Sequence, residues 1–147
     1  MDFENPPWQL RKTVFPQHTD HAGVMWHGSY FKWLEEARID ALSKVGISYS
    51  ELSLAGFEIP VVSCEIKYLK PLYHGQDVLL HSWPLLFKGV RWSWITRFFD
   101  VNISLATEAK INLALVQKNE NGFQIVRKVP NQYEQAFSKL HIGPSSL

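Results

Sequence analysis

Residues 15–38 read FPQHTDHAGVMWHGSYFKWLEEAR, and the rest of the chain is best understood outward from them. The segment Thr19-Asp20-His21-Ala22-Gly23 has the composition of a tight turn. Asp readily bonds its own backbone there, and Gly23 lets the chain turn sharply and approach a ligand closely. Beyond the turn the pattern becomes helical. Tyr30, Trp33, Leu34, Ala37, Ala41 and Val45 recur near a 3.6-residue period, and Gly46 stands where a C-cap belongs. The spacing predicts a helix over 28–45, with Lys32, Glu36, Asp40 and Ser43 on its other faces. Lys32–Glu36 and Glu35–Arg38 are spaced to pair along it. A helix this apolar on one side must lie against a sheet.

Sheet-forming segments flank it. Residues 8–15 read as a strand led in by Pro6-Pro7, and 50–54 as a short helical turn. Residues 62–68 alternate apolar and polar, which predicts a half-buried strand. Residues 78–87 form another, in which Pro84 suggests an edge or a bulge. Gly89 allows a reversal into 90–101, where Val90, Trp92, Trp94, Thr96 and Phe98 share a face. Residues 105–116 follow, with Thr107, Ala109, Ile111, Leu113 and Leu115 on one face. Asn121-Gly122 signals a hairpin into 123–126. Pro130 precedes a short polar helix over 131–140, and the tail from Gly143 is read as loose. The expected architecture is one α+β domain over 1–147, its core about 8–127, with a long helix across an antiparallel sheet.

Composition narrows the possible partners. The 147 residues are 46% hydrophobic and 20% charged, an ordinary globular balance. Fifteen basic residues oppose fourteen acidic ones, so no charge excess points to nucleic acid or an anionic membrane. The start of the chain lacks the basic and apolar regions of a signal peptide, and no apolar run is long enough for a spanning helix. Cys64 is the only cysteine, which excludes an intramolecular disulfide and fits a reducing cytoplasm. Its alternating surroundings predict a buried thiol. The six tryptophans predict core and interface packing, and Trp26, beside the Asp20 turn, could instead line a pocket.

The chemistry concentrates at the turn. Asp20 stands just before a predicted helix start, where unpaired amides of His27 and Gly28 carry positive partial charge. Ser29 is an alternative N-cap that would shift those amides onward. A carboxylate beside such amides is a minimal kit for attacking and polarising a carbonyl. His27 could serve through its backbone N–H or through its imidazole as acid or base, the backbone role being favoured. His18, Asp20, His21 and His27 are metal-ligand types, but their spacing matches no zinc motif, so no metal is expected. No nucleophile elbow, phosphate loop or HExxH is present.

These residues carry a resemblance. The pattern Phe15-x-x-x-Thr19-Asp20-x-x-Gly23-x-x-x-His27-x-x-Tyr30-x-x-x-x-Glu35-x-x-Arg38 resembles the signature of the 4-hydroxybenzoyl-CoA thioesterase-like acyl-CoA thioesterases. Ile66 to Leu72 and Gly75-Gln76-Asp77 are similar to that family's second-strand region, and the likeness spans about residues 9–126. It implies a hotdog fold, in which a curved antiparallel sheet wraps the helix. It implies hydrolysis of an acyl-CoA to free acid and CoA with no cofactor. Asp20 matches the catalytic carboxylate, which attacks the thioester or activates water. Position 27 matches the residue whose amide polarises the carbonyl. Gly23, Trp26 and Tyr30 are the candidates around the acyl group. His18 departs from the pattern, standing where an acid is frequent beside Asp20. Homodimers joined edge to edge, often paired into homotetramers, would place active sites between subunits. CoA phosphates need local cations, and Lys88 with Arg91 is the expected pair, with Lys67, Lys70 and Arg97 as further options. An enoyl-thioester hydratase and a non-catalytic acyl-CoA or acyl-carrier-protein binding module are the alternatives. The acyl group stays open among short aliphatic, 4-hydroxybenzoyl and 1,4-dihydroxy-2-naphthoyl.

Overall fold

A computed structural model describes residues 3–147. The elements follow as β1 (Trp8–Thr13), α1 (His27–Lys44), α2 (Tyr49–Leu54), β2 (Phe57–Glu58), β3 (Val61–Tyr68), β4 (Asp77–Pro84), β5 (Trp92–Phe99), β6 (Leu105–Leu113), β7 (Val116–Asn119), β8 (Gly122–Ile125) and α3 (Asn131–Ile142). Five strands form an antiparallel sheet in the order β1-β4-β5-β6-β3, and β2-β7-β8 form a separate small sheet. The expected α+β hotdog arrangement is therefore the observed one, with α1 against one face of the larger sheet.

The strand pattern dictates that packing. In β4 and β5 every second residue is buried, so Val78, Leu80, Trp94 and Phe98 face α1. The one polar pair on this buried face, Ser82 and Thr96, satisfies itself with a 2.9 Å hydroxyl bond. From α1, Trp33, Leu34, Ala37, Ala41 and Leu42 are buried in return, Trp33 stacking on Phe98 at 6.3 Å. Four of the six tryptophans (Trp8, Trp33, Trp92 and Trp94) are core residues, as expected, while Trp26 is not. At the far end α3 seals the sheet. Trp8 Nε1 donates to Leu140 O at 2.7 Å, and Phe137 stacks on Trp92 at 4.9 Å.

Several expectations shift. Helix α1 starts at His27 and β4 stops at Pro84, which is tolerated because it closes the strand, opposite Trp94. The half-buried strand over 62–68 is the sheet's edge. Val61, Val62 and Tyr68 are exposed, and only Cys64 and Ile66 are partly covered. Cys64 is thus half-buried rather than core, and burial raises its thiol pKa against a smaller opposing pull from Arg38. Along α1, Glu36 meets Lys12 of β1 at 2.7 Å rather than Lys32. Glu35 makes no ion pair with Arg38, because Glu35 faces out and Arg38 is buried.

Candidate active site

Asp20 is locked by its own turn. Its Oδ1 accepts from the amides of Ala22 (2.9 Å) and Val24 (3.2 Å), while its N–H donates to Val24 O at 2.9 Å. Gly23, at φ +78°, closes this loop, its N–H donating to Asp20 O at 3.1 Å. Two long-range backbone bonds hold the loop against the segment after β3. Met25 N–H donates to Leu72 O at 2.8 Å, and His74 N–H to Gly23 O at 3.0 Å. One carboxylate oxygen is therefore committed to the backbone. Among the described residues Oδ2 accepts no hydrogen bond, and the side chain is exposed.

The helix beside it begins without a side-chain cap. Trp26 is the N-cap residue, at φ −91° and ψ 156°, and an indole cannot accept a hydrogen bond. Ser29, the alternative cap, turns its hydroxyl back to His18 O at 3.0 Å. The first amide of α1 to find an acceptor is that of Ser29, to Trp26 O at 3.0 Å. The N–H groups of His27 and Gly28 have none among the described residues. Two adjacent amides at the positive end of an 18-residue helix are thus open, at the helix start that follows the fixed Asp20 turn along the chain.

A cavity of about 340 Å³ adjoins this junction, lined by Val24, Met25, His27, Tyr30, Tyr68, Leu69, Lys70 and Pro71. Val24 ties it to Asp20 through the bonds just given. Tyr30 is 2% exposed, its ring edge-on to Tyr68 at 5.0 Å and tilted on Phe98 at 5.4 Å. Burial raises the phenol pKa of both tyrosines. Lys70 is pinned at the rim by Asp100 at 2.5 Å and Ser104 Oγ at 2.8 Å. The Lys70 hydrogen bond in turn holds the Asp100 carboxyl below the usual carboxylate range. A larger depression of about 540 Å³, between β1, β4 and the turn after β5, touches none of the Asp20, His27 or Gly28 positions.

The remaining expected site residues fall elsewhere. Gly23 shapes the turn and does not line the cavity. Trp26, 41% exposed, folds over Gly28, and a Cβ on Gly28 would lie 2.3–2.7 Å from the indole ring. His18 makes no bond to Asp20. Its Nδ1 accepts from Phe15 N–H at 3.0 Å, and its ring packs on Phe15 and, edge-on, on Trp33 at 5.3 Å. Burial, then Lys12, lowers its pKa, which suits a neutral ring with its proton on Nε2. His18, Asp20, His21 and His27 do not converge, and no group of three or more such residues among those described could hold a metal. Lys88 and Arg91 bridge each other across the β4–β5 turn. Within one chain they stand at the opposite end of β4 from the Asp20 junction, roughly 25 Å away along its 8 residues. In the cavity wall from Tyr68 to Pro71, Lys70 was among the cations named for CoA, while Tyr68, Leu69 and Pro71 as pocket lining are what sequence reasoning missed. The signals for it were the likeness of Ile66 to Leu72 to the family's second-strand region and the Lys70-Pro71 step that ends an alternating strand.

Comparison with known proteins places this geometry. The model of the Thioesterase-like superfamily matches residues 14–132, so the chain belongs to that superfamily. A protein of Synechocystis sp. provisionally named an esterase is 28% identical over 134 residues, 90% of this chain and 80% of that one. YneP of Bacillus subtilis, provisionally named an acyl-CoA thioesterase, is 28% identical over 123 residues, 84% of each chain. Among solved structures, a DHNA-CoA thioesterase from Staphylococcus aureus superposes with a TM-score of 0.79 at 25% identity, covering 90% of this chain and 89% of that one.

Proposed function

We propose that the chain hydrolyses acyl-CoA thioesters to free acid and CoA at the junction of the Asp20 turn and α1. The observation that carries this is the pairing of a backbone-anchored carboxylate with two acceptor-less helix amides beside an apolar cavity. The thioester carbonyl oxygen sits at the His27 and Gly28 amides, which stabilise the negative charge that builds on it. Asp20 Oδ2 attacks the carbonyl carbon or takes a proton from an attacking water. In either route the C–S bond breaks, the thiolate leaves with a proton, and one water is consumed. A thioester is activated enough for one carboxylate to suffice, and no cofactor enters the scheme. The His27 imidazole stands at the cavity wall and is not required as the base.

The apolar wall of Val24, Met25, Leu69 and Pro71, with the Tyr30 and Tyr68 rings, suits an aromatic acyl group. The name of the Staphylococcus aureus neighbour favours the same choice. A thiol-release assay on aromatic and aliphatic CoA esters tests the reading. Turnover in the wild type and its collapse in Asp20→Asn support it. Hydration of a crotonyl thioester without thiol release favours the hydratase instead. Tight binding with no product favours the binding module.

The active form of this reading is a cytoplasmic homodimer, paired again into a homotetramer. Its first interface is β3, an unpaired edge with exposed Val61, Val62 and Tyr68. An antiparallel two-fold pairing centred on Ile66 sets Glu65 opposite the partner's Lys67 twice, whereas centring on Glu65 opposes like charges. It also lays the partner's Val62 beside Lys70 at the cavity rim. Lys88 and Arg91, remote within one chain, would reach CoA phosphates across such an assembly. Lys67→Glu should weaken the dimer several-fold and Glu65→Lys/Lys67→Glu restore it, read by light scattering. Equal dissociation of single and double variants would remove this register.

A further inference from the structure

The indole of Trp26 lies on the Cα of Gly28. A Cβ at position 28 would meet the Cη2, Cζ2 and Cζ3 atoms of that ring at 2.3, 2.5 and 2.7 Å, distances no side chain tolerates. Neither Trp26 nor Gly28 lines the cavity that His27 borders. The ring also meets the His27 imidazole, edge-on at 5.0 Å and 70°. So a large aromatic residue, 41% exposed, rests on the first turn of α1, where two amides have no acceptor. A freely exposed tryptophan would gain nothing by clasping a glycine. This one stands in the Cβ position of Gly28, on the turn whose open amides a thioester oxygen would reach.

We propose that Trp26 is a positioning residue. Its indole covers the solvent side of the His27–Gly28 amides, and position 28 is glycine because that ring occupies the space of a side chain. The amides then keep their hydrogen-bonding capacity for the carbonyl instead of spending it on water, and the acyl group enters from the cavity side. This rests on the thioesterase reading for its consequence, not for its geometry.

Two variants reach the same contact by different routes. Gly28→Ala keeps the indole but displaces it; Trp26→Ala removes it. Each should lower kcat about tenfold with KM little changed. The double variant should be no slower than either single one, because the fault is shared. A pocket-wall role would instead raise KM, most for aromatic esters, in Trp26→Ala alone. Multiplying losses in the double variant, or a wild-type kcat in Gly28→Ala, would overturn the proposal. Far-ultraviolet circular dichroism and melting confirm that each variant is folded. A second arm needs no substrate. The Trp26 fluorescence, isolated by subtracting the Trp26→Ala spectrum, should become more accessible to acrylamide in Gly28→Ala. Unchanged quenching would contradict the cover even if the enzyme works. If quenching rises but the wild type cleaves no ester, the cover stands and the thioesterase reading fails.

Discussion

The two ends of α1 are built to opposite rules. At the C-terminal end the chain turns back on the last carbonyls. Val45 and Gly46 donate back to Leu42 O and Ser43 O at 3.1 and 3.0 Å, and Ile47 N–H also reaches Leu42 O at 2.9 Å. Gly46 takes φ +88°, and Lys44 pairs with Asp40 at 2.9 Å near the negative end of the dipole. At the N-terminal end the cap residue is a tryptophan, two amides lack acceptors among the described residues, and the Asp20 carboxylate of the preceding turn leaves one oxygen without a bond there. A helix loses about 1 kcal/mol for want of an N-cap, and α3 after Pro130 lacks a side-chain cap as well, so what sets the α1 start apart is its open amides following the rigid Asp20 turn.

The largest effect should come from the open end. Asp20→Asn keeps an acceptor for the Ala22 and Val24 amides, so the melting temperature should hold while kcat falls roughly 10²–10⁴-fold. Retained turnover would shift the chemistry elsewhere on the open end. The closed half of the helix should answer in the other currency. Leu42 is 1% exposed in the core, so Leu42→Ala should cost about 2–5 kcal/mol of stability in denaturant melts. Activity per folded molecule should stay close to wild type. Smaller still is Gly46→Ala, which places a side chain at φ +88° and should cost about 1 kcal/mol with kcat untouched. If Gly46→Ala slowed turnover as much as it destabilised the fold, the two ends would not be independent.

Acid should separate the contributions further, with the least effect. Burial depresses the folded pKa of His81 and, with Lys12, that of His18. The unfolded chain therefore binds their protons first, and stability should fall as pH drops through the ordinary histidine range, with no contribution above it. Asp100 works lower down. Its carboxyl is depressed by Lys70, so its stabilisation is present above the ordinary carboxylate range and lost as pH falls through the depressed value. Melting curves across pH should show these two stages, and His81→Gln should flatten the first. A first stage unchanged in His81→Gln would assign it to His18.

Much of this contrast was legible before any coordinates. The helical period of Tyr30, Trp33, Leu34, Ala37 and Ala41 named the face that α1 buries, and Gly46 named its end. Asp20, His27 and Gly28 lie in one short stretch, so their proximity followed from local turn chemistry. What stayed hidden was non-local. The alternation of Val62, Cys64, Ile66 and Tyr68 looks the same in an edge strand as in an interior one. Only the order β1-β4-β5-β6-β3 reveals that β3 is an edge, paired with β6 on one side alone. The cavity wall at Tyr68 to Pro71 reaches His27 through the Val24–Tyr73 bridge and the Met25–Leu72 bond, which are backbone contacts with no side-chain signature. The Trp26–Gly28 contact was equally invisible, since a glycine at a helix start reads as ordinary.

The most direct test of the open-end account is backbone amide NMR on binding a non-hydrolysable acyl-CoA analogue whose carbonyl is retained and whose sulfur is replaced by methylene. The amides of His27 and Gly28 should move furthest downfield, in the manner of new hydrogen-bond donors, while Val45, Gly46 and Ile47 stay still. Downfield movement at the closed end, with His27 and Gly28 unmoved, would contradict it.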